Sequence, residues 1–132
     1  MATAPEPEQT FAPTDFDLAE LTTLAMRAKM TMRMYMLGRP HATPQELDTL
    51  VAKTVGRGRR EEMVLAAQIV ASAQMGMEDL GLKVPPNDLV LTEAIMDTVW
   101  ADRDNPAPDS RTIARRAWVL SMTYRRRDRR GS

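Results

Sequence analysis

The chain of 132 residues has no cysteine and a single histidine, His41. Without cysteine there are no disulfides, thiolate zinc sites or thiol nucleophiles, and the chain suits a reducing, cytoplasmic setting. One histidine rules out a His-x-x-x-His metal pair. His41 falls in the loop between Gly38 and Thr43, where a solvated role is expected. Gly56-Arg57-Gly58 is too short for a phosphate-binding loop and lacks the following Lys-Ser/Thr. Glu61, Glu62, Glu78 and Asp79 are sequence neighbours that splay on a helix, so they do not converge as a carboxylate pair. No catalytic, metal or cofactor set is expected, and the chain reads as non-enzymatic.

Aromatic residues make up only 5% of the chain, so the core must be aliphatic, alanine and methionine. No apolar run approaches the ~18–20 residues that span a bilayer. Alternating β-branched runs are few, and neither Asn-Gly nor Asp-Gly occurs, so strand and hairpin signals are almost missing.

Helix signals, by contrast, are frequent. Met1–Thr14, rich in Ala, Pro and Glu, lacks the basic start and apolar stretch of a signal peptide and is expected as a disordered leader. Thr14 or Asp15 can cap a first helix running to about Leu37, ended by Gly38 and Pro40. Thr43-Pro44-Gln45-Glu46 supplies a hydroxyl cap, a proline at the first helical position and a glutamate placed to close a capping box. The second helix then runs to about Val55. A third is expected from about Arg59 to Leu80, ended by Gly81. A fourth runs from Leu89 to Ala101 with Asn87 or Asp88 as cap. Asp102–Pro108 reads as a linker, and Asp109 or Ser110 caps a fifth helix. These signals describe an all-α bundle of four to five helices, with a helical domain over 15–124 and a basic tail over 125–132.

The first helix has two apolar sides. Leu18, Leu21, Leu24, Ala25, Ala28, Met32, Tyr35 and Met36 form one stripe at 100° per residue. Met26, Met30, Met34 and Leu37 form a second, roughly opposite, with Arg27 on one edge and Lys29 and Arg33 on the other. Two readings stand for the second stripe. It is core of a central helix, with methionine filling gaps, or it is a partner or self-association interface, to which polarizable, unbranched methionine is suited. The third helix is apolar nearly all round. Ala66, Ala67, Ala71 and Ala73 allow close approach, which places it at the centre of the bundle.

Charge is segregated. Of 18 Lys/Arg, eight are arginines within residues 111–132, where Asp128 is the only acidic residue among 18 Asp/Glu. Arg111, Arg115, Arg116, Arg125, Arg126, Arg127, Arg129 and Arg130 are the candidate nucleic-acid contacts. Ile113, Ala117, Leu120 and Tyr124 repeat at helical spacing beside Trp118 and would dock this helix, and truncation after Tyr124 would leave stability little changed. The open readings of the segment are polyanion binding, an acidic protein partner and a solubilising end. Thr112–Ser121 is similar to the turn region of helix-turn-helix proteins, with Ala114 and Ala117 where that motif has small residues. Trp118, however, stands where the motif has its turn glycine. A bulky side chain tolerates positive φ poorly, so a continuous helix is expected. The function these features suggest is a small accessory or regulatory protein that binds nucleic acid through its C-terminal helix. The alternative is an adaptor that binds a protein through the methionine face. No membrane association is expected.

Overall fold

The computed structural model describes Ala12, residues 15–105 and residues 109–131, the side chains of 129–131 excepted. The expected leader, apart from Ala12, and the 106–108 part of the linker lie outside the described residues. Five helices make up the fold, α1 (Leu18–Gly38), α2 (Pro44–Thr54), α3 (Glu61–Asp79), α4 (Leu89–Ala101) and α5 (Ser110–Gly131). No strand occurs among the described residues, and the architecture is all-α.

Most helix ends follow the expected chemistry. The Thr43 hydroxyl caps α2 by accepting the Glu46 N–H at 3.2 Å. The reciprocal half of the capping box is replaced, because the Glu46 carboxylate accepts from the Tyr35 hydroxyl at 3.3 Å. Asp88 caps α4 through the Val90 and Leu91 N–H groups, at 3.1 and 3.2 Å. Gly81, at φ +80°, closes α3 in the left-handed conformation that glycine adopts without a Cβ penalty, and the Leu82 N–H reaches back to the Met77 carbonyl at 2.9 Å. The start of α1 differs from expectation. The cap is Asp17, which accepts the Ala19 and Glu20 N–H groups at 2.8 and 3.1 Å, and not Thr14 or Asp15. Asp15 is taken up instead by the Ala12 N–H. Phe16 enters the core beside Leu21, which gives the Asp17 cap the apolar pair of a hydrophobic staple.

α3 is the centre and packs against each of the other four helices. Ala66, Ala67, Ala71 and Ala73 are buried. The main core joins Leu21, Leu24 and Ala25 of α1, Val70 and Met77 of α3, Leu91, Ile95 and Met96 of α4, and Ala114 and Ala117 of α5. A second cluster joins Ala28, Met32, Val51, Val64 and Ala71, seating α2. Across the middle, the buried Thr22 and Thr92 hydroxyls share a hydrogen bond of 2.8 Å. No buried side-chain nitrogen or oxygen among the described residues lacks a partner, as a well-ordered interior requires.

α5 lies on α4 and α3 and touches neither α1 nor α2. It seats differently from the expected stripe. Its most buried residues are Ala114, Ala117 and Ser121, so the contact line is rotated by roughly 60° at 100° per residue. The cause is on α3. A Cβ at Gly76 would lie 3.1 Å from the Ser110 carbonyl and 3.3 Å from the Ala114 Cβ. This close approach selects the small side of α5 and leaves Leu120 only half-buried. The helix also continues past Tyr124 to Gly131, with no break where a tail was expected to begin. It is continuous through Trp118, with no helix-turn-helix break.

Candidate nucleic-acid interface

α5 is 22 residues long, about 33 Å at 1.5 Å per residue. Seating through Ala114, Ala117 and Ser121 turns the opposite side to solvent. Arg111, Arg115 and Arg126 are exposed there, interleaved with Val119 at 64% exposure and Met122 at 43%. None of these three arginines has a carboxylate within ion-pair distance among the described residues. The backbone carries Arg129 and Arg130 onward in the same helix, while their side chains lie outside the description.

The other three candidates make contacts within the fold. Arg116 pairs with Asp102 at 2.5 Å. Arg127 lies over the Tyr124 ring at 4.6 Å and within 3.9 Å of Glu93 and 3.4 Å of Asp128. Both remain more than half exposed and retain access to solvent. Arg125 is different, because it pairs with the Asp88 carboxylate, which is only 8% exposed. Since Asp88 also caps α4, this ion pair ties the end of α5 to the start of α4. The eight arginines therefore do not form one equivalent set, and Arg125 belongs to the helix–helix contact. Its place follows from the rotation of α5, which no local sequence pattern records.

Two titratable groups on or beside α5 are shifted. Burial, a hydrogen bond to Asp97 and the negative charges of Asp97 and Glu93 push the Tyr124 hydroxyl up to about 12. Asp109 caps α5, accepting the Thr112 N–H at 2.8 Å. That bond, the Thr112 hydroxyl and the Arg115 charge hold its carboxyl below the usual range. The Asp109 carboxylate at the start of the helix and exposed guanidiniums along its outer side make α5 a directional basic surface.

The methionine candidates form a second surface on α1. Met30 is 56% exposed, Met34 71% and Leu37 86%, and Met26 is half-buried. The opposite stripe of α1 carries the core, with Leu21, Leu24, Ala25, Ala28 and Met32 buried. Of the two readings of the methionine stripe, burial in the core is overturned for Met30, Met34 and Leu37. α2, α3 and α4 pack on the other sides of α1 and α5 does not touch it, so among the described residues nothing covers this one. Next along α1 is an open cleft of about 290 Å³ lined by Ala19, Glu20, Thr23, Leu24, Arg27 and Arg59. Sequence reasoning missed this cleft, because it forms only when Arg59, in the loop before α3, reaches Glu20 at 3.3 Å.

Among the described residues no three His, Cys, Asp or Glu side chains gather as a metal set. None of the described helices is long and apolar enough to cross a membrane. No family model, no curated protein and no solved structure matches the chain.

Proposed function

We propose that the protein is a small non-enzymatic accessory or regulatory protein that binds nucleic acid along the outer side of α5. The observation that supports this reading is the row Arg111, Arg115 and Arg126, exposed on one helix and with no carboxylate within ion-pair distance among the described residues. Guanidiniums in solvent meet phosphates without first breaking a protein ion pair, and each such contact releases condensed counterions. The test is a titration of labelled duplex and single-stranded DNA and RNA at two salt concentrations. Replacing Arg111, Arg115 and Arg126 together by Gln should weaken binding to all sequences about equally and reduce the log–log salt slope by roughly 2–3 on duplex DNA, at about 0.9 per phosphate. No binding at low salt, or an unchanged slope in the triple variant, rejects the reading.

A second reading has its own support. The exposure of Met30, Met34 and Leu37 in one stripe favours a protein-docking face on α1. Contiguous exposed apolar side chains on a small domain mark interaction surfaces, and methionine adapts to a partner's shape.

A further inference from the structure

We infer that the polyanion is duplex DNA, with α5 laid in the major groove and Val119 and Met122 set against the base edges. This rests on the nucleic-acid reading above and names the class of ligand and the part of it that is read. Arg111, Arg115, Val119, Met122 and Arg126 follow one another at spacings of four, four, three and four residues. At 100° per residue they fall within an arc of about 80°. The row therefore has guanidiniums at its ends and two apolar side chains at its centre, Val119 at 64% exposure and Met122 at 43%.

The shape of this surface selects among polyanions. α5 packs on α3 and α4 only, so among the described residues the row stands on a ridge and not in a groove. A ridge of one helix fits the major groove of B-form DNA, which is about 12 Å wide and admits an α-helix. Arg115 and Arg126 lie 11 residues apart, about 16 Å along the axis. That span lets them reach the phosphates of the two groove rims while the residues between them meet its floor. Single strands are held differently, in grooves with aromatic rings on which bases stack. No ring stands in the row. Trp118 is packed against the main core, and Tyr124 is held between Asp97 and Arg127. Duplex RNA has a major groove too deep and narrow for side chains to read. The carboxylates of α4 and the turn after it that meet α5 are Asp88, Glu93, Asp97 and Asp102, engaged by Arg125, Arg127, Tyr124 and Arg116. None of them stands within the row. Neither Val119 nor Met122 offers an N–H or O–H donor. The base feature that suits them is the thymine C5 methyl, which projects into the major groove.

The probes are four labelled nucleic acids of equal length, titrated against the full chain by fluorescence anisotropy at one low salt concentration. They are an A·T-rich duplex DNA, the same duplex with deoxyuridine in place of thymidine, the corresponding duplex RNA and one DNA strand. Deoxyuridine lacks only the C5 methyl. The thymidine duplex should bind about three- to tenfold more tightly than the deoxyuridine duplex, the scale of one or two buried methyl groups. Duplex RNA and the single strand should bind at least about tenfold more weakly than the thymidine duplex. Val119→Ala combined with Met122→Ala shortens the centre of the row without changing charge. This variant should bind the two DNA duplexes equally, with the salt slope of the parent and an unchanged melting temperature. Equal binding of the two duplexes by the parent, or a preference that the double variant retains, overturns the seating of Val119 and Met122 on the bases. Duplex RNA or the single strand binding as tightly as duplex DNA overturns the major groove as the site. In each of these cases a salt slope lowered by the triple arginine variant leaves the nucleic-acid reading standing. No binding to any of the four probes rejects that reading and this inference together.

Discussion

Asp88 has two roles that single substitutions can separate. Its carboxylate caps α4 through two backbone N–H groups and pairs with Arg125. Asp88→Asn keeps a side chain able to cap and removes the charge, so the loss should be about 0.5–1 kcal/mol, the scale of a partly exposed ion pair. Asp88→Ala removes both roles and should cost about 1–3 kcal/mol. Urea midpoints of the two variants measure the difference, and equal midpoints would show that the cap contributes nothing. Truncation after Tyr124 removes Arg125 as well and should destabilise at least as much as Asp88→Asn. The expectation of unchanged stability read from the sequence alone is thereby reversed. Tyr124 gives a pH-dependent counterpart. Its hydroxyl titrates near 10 in an unfolded chain and at about 12 in the folded one. The unfolded state loses this proton first, so the stability linked to it is fully present below pH 10 and is lost as pH rises through 12. In a Tyr35→Phe background, tyrosinate absorbance should rise at about 12, and adding Tyr124→Phe should abolish that rise.

For the helices, the position of α5 depends on one glycine. The space beside Gly76 is taken by the Ser110 carbonyl and the Ala114 Cβ. Gly76→Val should push α5 outward and cost about 1–3 kcal/mol, the usual scale of overpacking. The Arg125–Asp88 pair should loosen with it. Combining Gly76→Val with Asp88→Asn should then cost less than the sum of the two alone, as a double-mutant cycle in urea would show. The two sides of α1 make the same point in reverse. Met32→Glu buries a charge in the second core cluster and should unfold the protein, whereas Met30→Glu lies in solvent and should change stability by no more than about 0.5 kcal/mol. Thermal melts compare them directly, and a Met30→Glu variant that unfolds would return the stripe to the core.

Across the whole molecule, α3 stands between two working surfaces. α1 and α5 each pack on α3 and α4 and make no contact with one another. The basic outer side of α5 and the methionine side of α1 therefore share no side chain. Sites without shared partners contribute independently. Met34→Glu should leave the nucleic-acid affinity and its salt slope unchanged. Anisotropy titrations of nucleic acid on the parent and on this variant test this, and a changed slope would indicate coupling through α3.

The sequence by itself determined the helix count, most helix ends and the all-α class, because caps, glycine stops and apolar period act locally. Thr43, Asp88 and Gly81 each act on the backbone within a few residues, and Leu21, Leu24, Ala28 and Met32 mark a buried side by spacing alone. Tertiary structure decided what depends on how one helix turns against another. The methionine stripe reads equally well as core or interface until the other four helices are found elsewhere. The arginines look alike along the chain until Gly76 sets the rotation of α5, sending Arg125 to Asp88 and leaving Arg111, Arg115 and Arg126 in solvent. Periodicity states which residues share a side of a helix; only the packing of neighbours states which side meets water.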